Sequence, residues 1–266
     1  MQSAVPFLIF AGAAGVLWLI FRAVLPAWLH ATRTVAAWLT RAVLRRDARE
    51  WMVWAAVGAG LLAAIAAGVF FLEVAEEIRQ GTPEIDRLAY RLVRGTKGDS
   101  EELFFVTFTV IGTPVGLGIL AAIAAVFLTI RRQYGWVFYL AVTCVGASVL
   151  GTSLKLYFAR ARPDVHEALR HAAGFAFPSG HALGSTVVFG ALAYIGAHTL
   201  HRWSWRSAAL ALASASILSV CLSRLYLGVH WLSDVAGGIA AGIVWLAATT
   251  LAFEVLRRFW RLRREV

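Results

Sequence analysis

The chain has 266 residues, of which 60% are apolar and 15% charged, with a formal net charge of +10. A soluble domain carries roughly 25% charged residues, and disorder needs the opposite balance. With only Cys144 and Cys221, a disulfide-stapled scaffold is excluded as well. The basicity comes from 23 Arg and 2 Lys. It calls for a topological reading before a nucleic-acid one, and no nucleic-acid partner is expected.

The apolar residues lie in blocks of roughly 18 to 25, long enough to cross a ~30 Å hydrocarbon core at 1.5 Å per residue. Seven spans can be drawn, at 6–23, 51–72, 103–130, 136–157, 182–200, 207–227 and 235–256. The first has no charge before Arg22, which argues for a retained span over a cleaved leader. An amphipathic stretch at 26–46 follows it, with Trp28, Val35, Trp38, Leu39 and Ala42 on one face, suited to lie on an anionic leaflet. A second surface helix is expected over 83–94. Thr82 can cap it, Pro83 suits its first position and Gly95 its end, and Ile85, Leu88, Ala89, Leu92 and Val93 form its apolar stripe. The 103–130 span is interrupted by Gly112-Thr113-Pro114, where a kink is expected. The fold class is therefore all-α, a polytopic membrane helical bundle. Residues 1–50 form an N-terminal span and interfacial helix, 51–258 a six-span core, and 259–266 a basic tail.

Sidedness follows from the loops. Segment 24–50 carries Arg33, Arg41, Arg45, Arg46 and Arg49; the turn 131–135 carries Arg131 and Arg132; the turn 201–206 carries Arg202 and Arg206; the tail carries Arg257, Arg258, Arg261, Arg263 and Arg264. The alternate segment 73–102 has eight carboxylates against five basic residues. The positive-inside rule puts the Arg-rich loops and the C-terminus in the cytoplasm. Trp51, Trp136, Trp203, Trp205 and Trp260 fall at span ends, as an interfacial belt should.

Three polar clusters then share one side. They are Lys155 to Arg162-Pro163, Pro178-Ser179-Gly180-His181, and Ser223-Arg224 with His230 and Asp234. Trp136 to Lys155 is about 30 Å of helix, one full crossing, so Lys155 and Arg162 sit at the outer end. His181 opens the next span, Arg224 closes the one after, and His230 and Asp234 begin the last. An ionisable group deep in lipid costs ~2.5–3.5 kcal/mol, so this concentration at span ends points to a site.

Two guanidinium forks and an ammonium suit a tetrahedral oxyanion. The free N–H groups of Ser179, Gly180 and His181 at a helix start suit phosphate, and Gly180 lets the backbone come close. The sequence has no Cys/His cluster or acidic cage of the kind metals use, so no metal and no cofactor are expected. His230 and Asp234 are four apart and share a helix face. A carboxylate on one imidazole nitrogen fixes the tautomer and leaves the other free to attack. His181 suits protonation of a leaving oxygen. Cys144 and Cys221 read as packing residues. His166, His171, Asp164 and Glu167 read as a solvated loop, and His198 and His201 fall on the opposite side. Gly238 and Gly242 are spaced for close helix contact.

The three clusters resemble the motifs of the type 2 phosphatidic acid phosphatase family. Its Lys-x6-Arg-Pro, Pro-Ser-Gly-His and Ser-Arg-x5-His-x3-Asp patterns all occur here, in order and without departure. The resemblance covers roughly 51–258 and implies a six-span lipid phosphatase core. It implies His230 as a nucleophile that forms a phosphohistidine, supported by Asp234, with His181 as general acid. It further implies Lys155, Arg162, Ser179, Gly180, Ser223 and Arg224 as the phosphate cradle, and no metal.

The expected partners are membrane lipids and a lipid phosphate substrate. Undecaprenyl diphosphate is favoured, with phosphatidic acid and phosphatidylglycerol phosphate as alternatives. The expected location is the inner membrane of a bacterium, the site facing the periplasm. A lipid phosphotransferase using the same histidine is a rival reading. So is a non-catalytic membrane protein that binds anionic lipid; a haloperoxidase has no need of six spans. The sidedness is checked by placing Cys at position 171. Labelling by an impermeant maleimide from the outside is expected; labelling only from the cytoplasmic side would overturn it.

Overall fold

The computed structural model describes residues 48–94, 99–163 and 174–262. The span expected at 6–23, the interfacial stretch at 26–46 and the loop residues Asp164, His166, Glu167 and His171 lie outside them. The chain divides into two compact units, Met1–Gly58 and Ala59–Val266. Apart from the start of the first helix, every feature described below lies in the second.

Among the described residues there are eight helices and no strand. They are α1 (Ala48–Gln80), α2 (Glu84–Arg94), α3 (Asp99–Ile111), α4 (Pro114–Ile130), α5 (Tyr134–Phe158), α6 (Gly180–Thr199), α7 (Trp203–Tyr226) and α8 (Leu232–Leu262). Five stretches are long and apolar enough to cross a bilayer: Gly58–Gln80, Tyr134–Phe158, Gly180–Thr199, Trp203–Tyr226 and Leu232–Arg257. Leu103–Ile111 and Pro114–Ile130 make a sixth if taken together, bent by 58° at their junction. The all-α polytopic class is thus the one observed.

The bend has a local cause. Pro114 has no N–H to donate and opens α4 at a position that does not need one. Thr113 joins the two halves. Its hydroxyl donates to Val110 O (2.7 Å) and accepts from Gly116 N (3.0 Å).

The outer surface is apolar: Leu62, Leu72, Val115, Ile123, Ile130, Val145, Leu212 and many others are exposed. In water this would be an aggregation surface; against lipid it is the solvent-matched face. Helices gain no hydrophobic drive from meeting in lipid, so close packing must hold them together. α6 is the central helix, with α5, α7 and α8 packed around it. It buries small residues, among them Ala182, Ser185, Thr186 and Ala191. Gly238 and Gly242 of α8 face it. A Cβ at Gly238 would sit 2.7 Å from Ser179 O, and one at Gly242 would sit 2.8 Å from Thr186 Cβ. The close contact that their spacing suggested is therefore made within the chain. At the opposite end from the motifs, Glu254 accepts from Arg257 Nη2 (2.8 Å) and from the Tyr194 hydroxyl, with His198 beside it. Trp136 stacks on that cluster.

α2 starts at Glu84, with Thr82 and Pro83 before it. Ile85, Leu88 and Leu92 of its stripe point outward and are exposed, whereas Asp86 is fully buried. At a membrane boundary lipid is the apolar phase, so an amphipathic helix can turn its greasy side away from the protein.

The glycine packing predicts opposite signs at two positions. Alanine in an open helix site gains about 1 kcal/mol over glycine. Gly118 has open space around it, so Gly118→Ala should be neutral or raise the melting temperature in detergent. At Gly238 the added methyl meets backbone, and Gly238→Ala should cost about 1–3 kcal/mol. Equal melting temperatures for the two variants would contradict this packing.

Candidate active site

α8 sets the first part of the site. Asp234 lies in its first turn and is fully buried. Its Oδ2 accepts from the Trp231 backbone N–H (2.9 Å), reaching back over the helix start as a capping-box acid does. The same oxygen lies 3.3 Å from His230 Nδ1. The other carboxylate oxygen, Oδ1, accepts from Arg160 Nη1 at 2.6 Å.

His230 is 2% exposed. Its second nitrogen, Nε2, lies 3.1 Å from Arg162 Nη1. A guanidinium has no lone pair to offer, so Nε2 must be the acceptor and hold an unprotonated lone pair. Nδ1 then carries the proton and donates it to Asp234. Burial pushes the imidazole down to about 4, with Arg162 and Arg224 adding to the effect and Asp234 opposing it. The ring is therefore neutral at physiological pH.

Arg162 reaches the site from the segment after α5. That helix closes on Ala159 in a left-handed conformation (φ 44°), which turns the chain back over the bundle. Arg162 Nε donates to Gly174 O (3.0 Å), and Nη1 also donates to Val229 O (2.8 Å). These carbonyls fix the fork beside His230. Lys155 sits in the last turn of α5, over the start of α6. A Cβ on Gly180 would lie 3.6 Å from its Nζ, so the ammonium is a near neighbour of that glycine.

Ser179 caps α6, accepting from Ala182 N (3.5 Å). Its own N–H donates to Asp234 O (2.9 Å), which joins the second motif to the third. His181 follows in the first turn of α6. Its Nε2 is buried and makes no hydrogen bond. Gly112, at the α3–α4 break, is near enough that a Cβ there would be 3.3 Å from the His181 ring and would strike Val220. Arg224, in the last turn of α7, is 6% exposed. Its Nη1 donates to Thr109 Oγ1, and its Nε is buried with no partner. Ser223 is buried too, and its hydroxyl donates to Val220 O (2.6 Å). Its proton is engaged in its own helix, leaving lone pairs only.

The structure therefore gathers His230, Asp234 and Arg162 in direct contact. Ser179 is tied to them through its backbone, Lys155 lies beside Gly180, and His181 and Arg224 come from the flanking helix ends. Three residues here were not singled out from sequence. Arg160 lies within the first motif, at one of its unspecified positions. Thr109 holds Arg224. Asp86 arrives from α2 and accepts from Arg160 Nη2 (2.9 Å), Ser233 N (2.8 Å) and Ser233 Oγ (2.5 Å). A cue existed for Arg160, a third cation two residues before Arg162. For Asp86 the cue was that it shares a face with Tyr90 and with Val93, the stripe residue that packs inward against Leu227 and Val229.

A model of the PAP2 superfamily matches residues 136–258, the stretch that holds all three motifs. Phosphatidylglycerophosphatase B of Bacillus subtilis strain 168 is 32% identical over 112 residues, which is 42% of this chain and 55% of that protein. YbjG of Escherichia coli strain K12, provisionally named an undecaprenyl-diphosphatase, is 31% identical over 147 residues, 51% of this chain and 69% of that protein. The match thus spans little more than half of the first relative. The crystal structure of a transmembrane PAP2-type phosphatidylglycerolphosphate phosphatase from Bacillus subtilis superposes with a TM-score of 0.67. It is 26% identical, and the match covers 74% of this chain and 98% of that one. Aquifex aeolicus LpxE shares the fold, with a TM-score of 0.50 at 22% identity over 61% of this chain and 92% of that one. With the motifs, the helical bundle and these likenesses together, the chain is a multi-pass membrane protein and belongs to the PAP2 superfamily.

Proposed function

We propose that this chain is a metal-independent lipid phosphatase that hydrolyses a phosphate monoester or diphosphate lipid through a phosphohistidine on His230. The observation that carries the reading is the setting of His230: Nδ1 lies 3.3 Å from the Asp234 carboxylate and Nε2 lies 3.1 Å from Arg162, contacts that leave the lone pair on Nε2. In the reaction Nε2 attacks phosphorus while Arg162 moves from that nitrogen to a phosphoryl oxygen. Lys155, Arg224, the Ser179 hydroxyl and the Gly180 N–H take the other oxygens, and Ser223 joins them once its hydroxyl turns from Val220 O. The bond to the lipid oxygen breaks, and that oxygen takes a proton from His181, which is held in its cationic form by the negative charge of the bound phosphate. His181 then accepts a proton from water as the water attacks phosphorus. Phosphate leaves and His230 returns to its neutral form. Preorganised positive charge stabilises both transition states, and the covalent intermediate splits one hard step into two. Uncatalysed phosphate-monoester hydrolysis is slow enough that up to ~10²¹-fold acceleration is known for the class.

The lipid class follows from depth. The site lies at helix ends, where a lipid headgroup phosphate sits. The positive-inside rule, applied to the Arg-rich loops, favours an arrangement with that end facing the periplasm and the C-terminus in the cytoplasm. An outward site suits recycling of a carrier lipid diphosphate, so undecaprenyl diphosphate is the favoured substrate. The names of the two relatives keep phosphatidylglycerol phosphate beside it, and phosphatidic acid is a third alternative.

Two predictions follow from this chemistry. Purified protein in detergent with EDTA should release phosphate from at least one of these three lipids, and His230→Ala should release none. Activity lost in EDTA and restored by Mg²⁺, or retained in His230→Ala, would contradict the mechanism. Phosphoryl transfer to an added acceptor lipid without phosphate release would favour a phosphotransferase. The second prediction concerns pH. Protonating Nε2 removes the attacking lone pair, so kcat/KM should fall on the acid side as pH drops through about 4, after allowance for substrate ionisation. An acid limb at the ordinary histidine value near 6.5 would contradict the burial of His230.

A further inference from the structure

α2 packs against α7 and α8 with Ile85, Leu88 and Leu92 turned outward, yet it sends one carboxylate into the protein. Asp86 is 0% exposed. Both its oxygens are occupied by Ser233 and Arg160. Arg160 is the shared element. One arm of its fork, Nη1, is 2.6 Å from Asp234 Oδ1 and 2.7 Å from Ser233 Oγ; the other, Nη2, is 2.9 Å from Asp86 Oδ2. One guanidinium thus stands between two buried carboxylates, and one of those carboxylates is the partner of His230. Tyr90 of α2 packs at a tilt against Trp231, the residue next to His230, with ring centroids 5.6 Å apart, and so docks the same helix on the same loop.

We propose that Asp86 is a positioning residue which, by holding one arm of Arg160, keeps the Asp234 carboxylate negatively charged toward His230. The inference rests on His230 being the nucleophile. Charge counting gives the reason. Asp86, Arg160 and Asp234 together carry a net charge of minus one, and that charge faces the imidazole. When Nε2 bonds to phosphorus and Nδ1 keeps its proton, the ring becomes cationic and needs that charge. Without Asp86, a guanidinium prefers to close on one carboxylate with both arms. Arg160 and Asp234 would then form a neutral pair, and His230 would lose much of its support. The other charged or titratable groups that face His230 are Arg162 from the segment after α5, Arg224 of α7, and Lys155 and His181 beside them. All are bases, so none can replace the missing negative charge.

The test uses the full chain in detergent, with His230 followed by ¹⁵N-histidine NMR and identified by its loss in His230→Asn. This reading needs no turnover, so it stands even if no lipid substrate is found. Asp86→Asn, nearly isosteric, should shift the His230 titration downward by about half a unit to one unit. Arg160→Gln should shift it upward. The double variant restores the net charge of minus one and should lie between them. In phosphate release, Asp86→Asn should lose about tenfold in kcat with KM within twofold, the pattern of a lost transition-state interaction. The double variant should recover part of that loss, which repair of a merely structural defect would not predict. Unmoved or same-direction titrations, or a double variant no faster than Asp86→Asn, would overturn the proposal. Release by the wild type that survives in His230→Ala would instead overturn the nucleophile, a separate failure.

Discussion

The Asp234 carboxylate and its backbone carbonyl hold together segments that lie far apart in the chain. The carboxylate closes the start of α8 through Trp231 N and orients His230. It also anchors Arg160 from the segment after α5. The carbonyl accepts from Ser179, which caps α6. A buried charge of this kind is tolerated only when its hydrogen bonds are complete. Removing the carboxylate would leave Arg160 held by Asp86 and Ser233 alone and His230 free to change tautomer. Fold and chemistry therefore depend on the same few atoms.

The rest of the bundle keeps those atoms apart from lipid. Small residues on α6 and α8 allow close approach where the site is built, at Gly238 against Ser179. The break at Gly112 to Pro114 brings α3 beside His181 and lets Thr109 reach Arg224. Phe71, Phe158 and Phe177 form an aromatic wall at the level of the cap. Apolar side chains cover the outside, where lipid replaces the core that a soluble protein would need.

Much of this was legible in the sequence because it is written in long apolar blocks and in short fixed spacings. The six core spans, the kink at Pro114 and the meeting of the three motifs at one end all follow from helix length and direction. What was not legible depends on contacts between segments. Asp86 looks like an ordinary first-turn acid of a surface helix, and only the tertiary structure shows it buried against Arg160 and Ser233. Arg160 and Arg162 are two apart in a non-helical stretch, so spacing alone cannot say which meets Asp234 and which meets His230. The helix at 84–94 has the expected stripe, but the stripe faces outward, because hydrophobicity marks a face without naming the phase it meets.

The most direct measurement is to trap the covalent intermediate. Protein mixed with ³²P-labelled lipid phosphate or diphosphate is quenched within milliseconds in alkali, where phosphohistidine survives, and the labelled peptide is sequenced. Label on His230, absent in His230→Ala and lost on brief acid treatment, is the expected result. Full turnover with no label on any histidine, or label on His181 instead, would contradict the assignment of His230 as the nucleophile.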